Sequence, residues 1–243
     1  MRDFDVAGPG PWLVPRPTDI VSPVKFVLVP GAGGVAWIWN RVVREIERAG
    51  HEAIAVDLPA DDESQGLASY TDIVVRAMDD DTVLVAASLG GFTAAMVCER
   101  KAPRALVLLN AMIPNPGERV GAWGENTGSN KARAEAAKAG GYTTDFDVKT
   151  YFFHDMSEDL FREAGRHERT QTERIFQDVC TFTKWPKIPI HVVAGRDDRF
   201  FPIEFQKRVA RERLGKGVEE IAGGHLAMLS NPAECAARIV AAM

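Results

Sequence analysis

Four short apolar runs dominate the first half of the chain: KFVLVP at 25–30, EAIAVDLP at 52–59, DTVLVAA at 81–87 and ALVLLNAMI at 105–113. Their apolar residues are nearly continuous and do not alternate cleanly with polar ones. Such runs suit strands that are covered on both faces, as in a parallel sheet sandwiched by helices. Helical patterns separate the runs, at 36–51 (AWIWNRVVREIERAGH), 67–78 (LASYTDIVVRAM) and 90–102 (GGFTAAMVCERKA). In the first of these, Trp39, Val42, Val43 and Ile46 share one face, and Gly50 marks the stop. Strand alternating with helix through short turns predicts a doubly wound α/β fold with a mostly parallel sheet.

The alternation breaks at Pro114 and resumes after Pro186. The interval has Gly-rich patches, the helix-forming NKARAEAAKA and many of the aromatics, but no clear strand. It reads as a helical cap over 114–186, inserted after the fourth predicted strand. The core then comprises 24–113 and 187–243. The latter part supplies a strand at IPIHVVAG, a helix at PIEFQKRVARERLG, a strand at VEEIAG and a helix at NPAECAARIVAAM. Residues 1–23 hold five of the 14 prolines and read as an N-terminal arm.

With 243 residues, 46% of them hydrophobic, the chain can bury a substantial core. The 29 basic and 34 acidic side chains leave a formal charge of −5, which gives no reason to expect nucleic acid or an anionic membrane as partner. The arm lacks the apolar centre of a secretion signal, and no run reaches the length of a membrane span. Cys98, Cys180 and Cys235 show no metal-ligand or CxxC spacing, and a reducing, cytoplasmic setting is expected. Nothing calls for a metal or an organic cofactor. A homodimer is left open.

Two glycine loops compete for the chemistry. GAGGVA at 31–36 follows a strand and precedes a helix, and Asp57 ends the next strand, the outline of a dinucleotide-binding fingerprint. A short-chain dehydrogenase would also carry a Tyr-x-x-x-Lys pair, and none of Tyr70, Tyr142 or Tyr151 has a lysine four residues on. The second loop, AASLGG at 86–91, puts Ser88 at a strand end with Ala86 two residues before it and Gly90 two after. A nucleophile on a sharp strand-to-helix turn needs small neighbours at those places. The alternative is that Ser88 is merely the N-cap of a helix.

Downstream context favours the nucleophile. GRDDRFFP puts two aspartates in the loop after a strand, and AGGHLAML puts His225 after another. The order Ser88, Asp198, His225, all at strand ends, is that of a serine hydrolase triad on an open α/β sheet. Asp198 is the expected acid, three residues after Gly195 and four before Pro202, and Asp197 a turn residue. The expected oxyanion donors are the backbone N–H groups of Ala32 and Leu89. His51, His191, His154 and His167 are the weaker candidates; for His154, beside the aromatics of YFFHD, the structural reading is preferred over contact with a substrate. The aromatic cap and the pair Trp37 and Trp39 predict an apolar pocket for a small-molecule ester with a small or aromatic acyl group.

With these residues assembled, the chain from Val24 onward resembles an α/β-hydrolase, and more narrowly the plant methylesterase and hydroxynitrile lyase branch. The resemblance is carried by FVLVPGAGGVAWIWNRVVREIERAGHEAIAVDLPA, VLVAASLGGFTAAM, GRDDRFFPIEFQ and GGHLAMLSNPAE. It implies a serine esterase working through an acyl-enzyme. Pro30 stands where many relatives have histidine. The lyases of that branch resemble one another in a threonine before the oxyanion residue and a lysine after the histidine; here those places hold Gly31 and Leu226. Hydrolysis is therefore expected over cyanohydrin cleavage. Ser88 also excludes the dehalogenase chemistry that needs an aspartate at the elbow. A non-catalytic small-molecule receptor on the same fold is the alternative from another class.

Overall fold

The structure, a computed structural model, describes residues 22–243, so nearly all of the expected N-terminal arm lies outside the described residues. Strand and helix alternate through β1 (Lys25–Val29), α1 (Asn40–Arg48), β2 (Glu52–Ala55), α2 (Leu67–Ala77), β3 (Val83–Ala87), α3 (Gly90–Arg100) and β4 (Ala105–Leu109). The α-helices α4 (Trp123–Thr127), α5 (Ser129–Gly140), α6 (Val148–Phe152) and α7 (Glu158–Gly165) intervene as the helical cap. The chain then returns to the sheet with β5 (Ile190–Gly195), α8 (Ile203–Leu214), β6 (Glu219–Ile221), α9 (Ala227–Ser230) and α10 (Pro232–Val240).

The six strands are all parallel, in the order β2-β1-β3-β4-β5-β6. Winding runs one way from β1 to β2 and the other way from β3 onward. The reversal leaves a crevice beyond the carboxyl ends of β1 and β3, where open α/β sheets place their sites. The glycine loop after β1 and the serine turn after β3 both lie there.

The apolar strand runs have a direct structural cause. Along β3, Val83, Val85 and Ala87 pack with Trp39, Val42 and Ile46 of the α1 side and with Met228, Leu229 and Ile239 of α9 and α10. Leu84 and Ala86 point the other way, into Tyr70 and Val74 of α2, Phe92 and Val97 of α3, and Phe205 and Val209 of α8. Successive side chains of a strand alternate faces, so a sheet covered on both sides selects apolar residues at every position. Each such aliphatic side chain contributes about 1.5 to 3 kcal/mol on burial.

Local differences from the expected elements are small. The helix expected over 36–51 begins as a 3₁₀ turn at Ala36–Trp39 and becomes α-helical only at Asn40, ending before Gly50, whose φ is 88°. The short helix α9 after His225 is an addition that the sequence pattern did not signal. The cap is tied to the core by polar contacts. The Asp178 carboxylate accepts from the Leu67 N–H at 2.8 Å, satisfying a free amide at the start of α2.

Candidate active site

Ser88 follows the last residue of β3 and has a φ of 49°, left-handed backbone that non-glycine residues seldom adopt. Close backbone approach enforces this turn. A Cβ on Gly90 would lie 2.5 Å from the Pro30 carbonyl oxygen, so only glycine fits where the turn crosses the β1 loop. The Ser88 carbonyl accepts from Gly91 N–H at 3.1 Å and Met112 N–H at 2.9 Å. Ser88 is not a helix cap: the residue flanking α3 is Leu89, and no side chain caps that helix. Ala86, two residues before the serine, is fully buried. Its methyl meets the small-residue condition.

The serine side chain meets the two downstream residues in a line. Ser88 Oγ lies 3.0 Å from His225 Nε2, and His225 Nδ1 lies 2.9 Å from Asp198 Oδ2. His225 and Asp198 are both buried, whereas Asp197 is exposed and accepts from Gly223 N–H at 3.3 Å. Asp198 Oδ1 accepts from the N–H groups of Phe200 (2.8 Å) and Phe201 (2.9 Å), and Oδ2 also accepts from Gln206 Nε2 at 3.2 Å. Every partner of this carboxylate is a donor, so Nδ1 of the imidazole carries its proton and Nε2 is left to accept from the serine hydroxyl. Three phenylalanine rings hold the imidazole: Phe152 at 5.0 Å and Phe200 and Phe201 at 5.1 Å between centroids.

The glycine loop closes the other side. Ala32 is exposed and lines the cavity beside the serine, and Leu89 directly follows the serine. Among the described residues neither N–H donates a hydrogen bond. The loop is held from the cap, since Gln171 Oε1 accepts from Gly33 N–H at 3.2 Å.

A cavity of about 560 Å³ opens onto Ser88 and His225. Trp37, Ile38, Val148, Phe152, Phe153, Phe161, Leu226 and Leu229 supply its apolar walls, and Arg162, Glu168, Arg169 and Gln171 its polar edge. One expectation needs correcting. Trp37 lines the cavity, but Trp39 is fully buried in the core on the α1 side of the sheet. Among the cap histidines, His154 is not one of the lining residues, in keeping with the structural reading preferred for it, whereas His167 faces the cavity, stacked on Trp37 at 4.5 Å. His51 accepts from Val24 N–H at 3.3 Å and His191 pairs with Glu219 at 3.2 Å, as structural residues would.

Sequence reasoning did not single out Asn110 or Gln206, both buried behind the site. The signals the sequence offered were an asparagine directly after the apolar run ALVLL and a glutamine among the apolar positions Phe205, Val209 and Ala210 of one helix.

A six-stranded parallel sheet flanked by helices, a cap after the fourth strand and a strained serine at a strand end define an α/β-hydrolase. The chain belongs to the alpha/beta hydrolase family, whose model matches residues 26–238. It is 26% identical to polyneuridine aldehyde esterase of Rauvolfia serpentina, over 86% of this chain and 91% of that one. It is 35% identical to Methylesterase 7 of Arabidopsis thaliana, over 37% of this chain and 41% of that one. The crystal structure of polyneuridine aldehyde esterase superposes with a TM-score of 0.74 at 24% identity, covering 90% of this chain and 98% of the other. No helix among the described residues is long and apolar enough to cross a membrane.

Proposed function

We propose that this protein is a serine esterase that hydrolyses a small carboxylic ester through an acyl-enzyme. The observation that carries this reading is the unbroken line of hydrogen bonds from Ser88 through His225 to Asp198. As Ser88 Oγ attacks the ester carbonyl carbon, His225 Nε2 takes the hydroxyl proton, and Asp198 holds the imidazole in its tautomer and offsets the charge it acquires. The tetrahedral oxyanion is bound by the N–H groups of Ala32 and Leu89, each contributing about 3 kcal/mol in comparable sites. His225 returns its proton to the departing alkoxide, so the alcohol leaves and the acyl group stays on Ser88. Water, deprotonated by the same histidine, then attacks the acyl-enzyme and releases the carboxylic acid.

The apolar walls of the cavity support a substrate with a compact hydrophobic acyl group, and the relatives named as esterases and methylesterases support a small alcohol. Leu226 follows His225 with an aliphatic side chain, so no ammonium stands there to stabilise a departing cyanide. The three free, buried thiols fit the reducing conditions of a cytoplasm.

The test is labelling with a fluorophosphonate, located by peptide mass spectrometry, on the wild type and on His225→Ala, followed by a panel of methyl and ethyl esters. An adduct on Ser88 that requires His225, with multiple turnover of an ester, is the expected result. A folded protein whose Ser88 stays unlabelled would overturn the esterase reading and leave ligand binding as the role of the cavity.

A further inference from the structure

Two non-glycine residues of the described chain have positive φ, Ser88 at 49° and Asn110 at 46°. They occupy equivalent places, directly after the adjacent strands β3 and β4. Strained backbone of this kind persists where the surroundings over-determine it, and it gathers at functional sites. Asparagine tolerates the left-handed region better than most residues, so its φ alone says little. Its side chain says more.

The Asn110 side chain is fully buried, and its carboxamide uses its whole hydrogen-bonding capacity. Nδ2 donates to the carbonyl oxygens of Gly224 and His225, both at 3.0 Å. Oδ1 accepts from Gly195 N–H at 2.8 Å and from Gln206 Nε2 at 3.2 Å. Two acceptors meet the NH₂ and two donors meet the oxygen, so the orientation of the amide is unambiguous. Gln206 donates from the same nitrogen to Asp198 Oδ2 at 3.2 Å. Two residues beyond Asn110, the Met112 N–H donates to the Ser88 carbonyl at 2.9 Å. The turn after β4 therefore touches the loops of all three residues in the Ser88–His225–Asp198 line, although it contributes no atom to the line itself.

We infer that Asn110 is a positioning residue, whose carboxamide fixes the loops of His225 and Asp198 relative to each other so that the imidazole stays aligned with Ser88. This rests on the esterase reading above and adds to it a residue that reaches neither substrate nor the reacting atoms. The chemistry of the position is specific. Aspartate has the same shape but would present lone pairs to the Gly224 and His225 carbonyls, turning two attractions into repulsions. Glycine keeps the backbone conformation at low cost and removes the bridge altogether.

The experiment compares wild type, Asn110→Asp, Asn110→Gly and Asn110→Ser. It measures ester turnover, the rate of Ser88 phosphonylation, the thermal melt and the downfield proton resonance of an imidazole N–H bonded to a carboxylate. In every variant that is folded at the assay temperature, kcat and the phosphonylation rate should fall about 30- to 100-fold, the scale of an ångström-sized misplacement. KM should stay within about twofold, because the cavity walls are untouched. The downfield resonance should shift or broaden, a change that a role confined to stability would not produce. Folded variants that phosphonylate at the wild-type rate would overturn the positioning role. Failure of all three variants to fold would also overturn it, making Asn110 a residue of stability. A wild type whose own Ser88 is not labelled is a different failure, because it removes the esterase reading itself.

Discussion

A Cβ placed on Gly31 would lie 2.8 Å from the Cβ of Ser88 and 3.4 Å from its Oγ. The glycine loop after β1 and the serine turn after β3 are thus in contact through an absent side chain. Any residue larger than glycine must push the loop that carries Ala32 away from the serine, or push the serine off its turn. Gly31→Ala should therefore lower kcat by about 10- to 100-fold, since geometry at an oxyanion site is sensitive to shifts of this size. The effect should fall on kcat, with KM little changed. Steady-state kinetics on the best ester of the panel checks it, and an unchanged kcat would mean that the loop yields without cost. The same crowding leaves no room for the threonine that the lyases of the related branch carry at this place.

The acid is distinguished from its neighbour by what each carboxylate touches. Asp198 receives four donors, one of them His225 Nδ1, whereas Asp197 is exposed and holds only the Gly223 amide in its turn. Asp198→Asn would favour the wrong imidazole tautomer, and kcat should fall by about four orders of magnitude. Asp197→Asn should retain activity within about threefold, as expected of an exposed substitution away from the chemistry. Parallel assays of the two variants decide the assignment, and the opposite ranking would reverse it.

What could be read from the sequence was whatever the sheet imposes on it. A strand buried on both faces must be apolar throughout, so β1, β3 and β4 stand out as runs such as VLVAA and ALVLL. The strand-end positions of Ser88, Asp198 and His225 then follow from counting along the chain. The cap gave its helical character but not its geometry, because helices of five residues such as α4 and α6 are too short to show periodicity. Nor could the pattern tell which tryptophan of the Trp37 and Trp39 pair faces the cavity. A 3₁₀ turn at 36–39 replaces the α-helical spacing there and sends the first to the cavity and the second to the core. Asn110 and Gln206 belong to no motif, since their roles depend on which loops the topology brings together.

The chemistry should be indifferent to thiol reagents. Cys98, Cys180 and Cys235 are buried and free, and burial pushes the thiols of Cys98 and Cys180 up to about 12, with Cys235 raised in the same direction. A thiol held protonated at neutral pH is a poor nucleophile. Maleimide should leave the native protein unmodified and fully active, then label three cysteines once the chain is unfolded in guanidinium. Loss of activity on treatment of the native protein would place a reactive thiol where the structure has none.

Acid should weaken the junction between cap and core at one ion pair. Glu118, at the start of the cap segment, pairs with Arg213 of α8, whose Nη1 and Nη2 both donate to its carboxylate. Both side chains are almost fully buried. Arg213 also donates to the Ile113 carbonyl at 2.6 Å, and Glu118 accepts from Asn115 N–H at 3.0 Å and Asn126 Nδ2 at 2.9 Å. Burial alone would push the Glu118 carboxyl up, but Arg213, Asn126 and the Asn115 amide outweigh it and hold the group below its ordinary 4.5. The sign follows: a carboxyl with a depressed folded-state pKa contributes stability that is fully present above its unfolded value. That contribution is lost as pH falls below 4.5 and through the folded value. Glu118→Gln leaves Arg213 buried without a counter-charge and should cost about 3 kcal/mol at neutral pH. The variant should also lose less stability than wild type on going from neutral pH to below 4.5, because the titrating group is gone. Urea melts of both proteins at neutral and acid pH measure the difference directly. A variant that runs parallel to wild type across that range would show that Glu118 is not the group whose protonation loosens the cap.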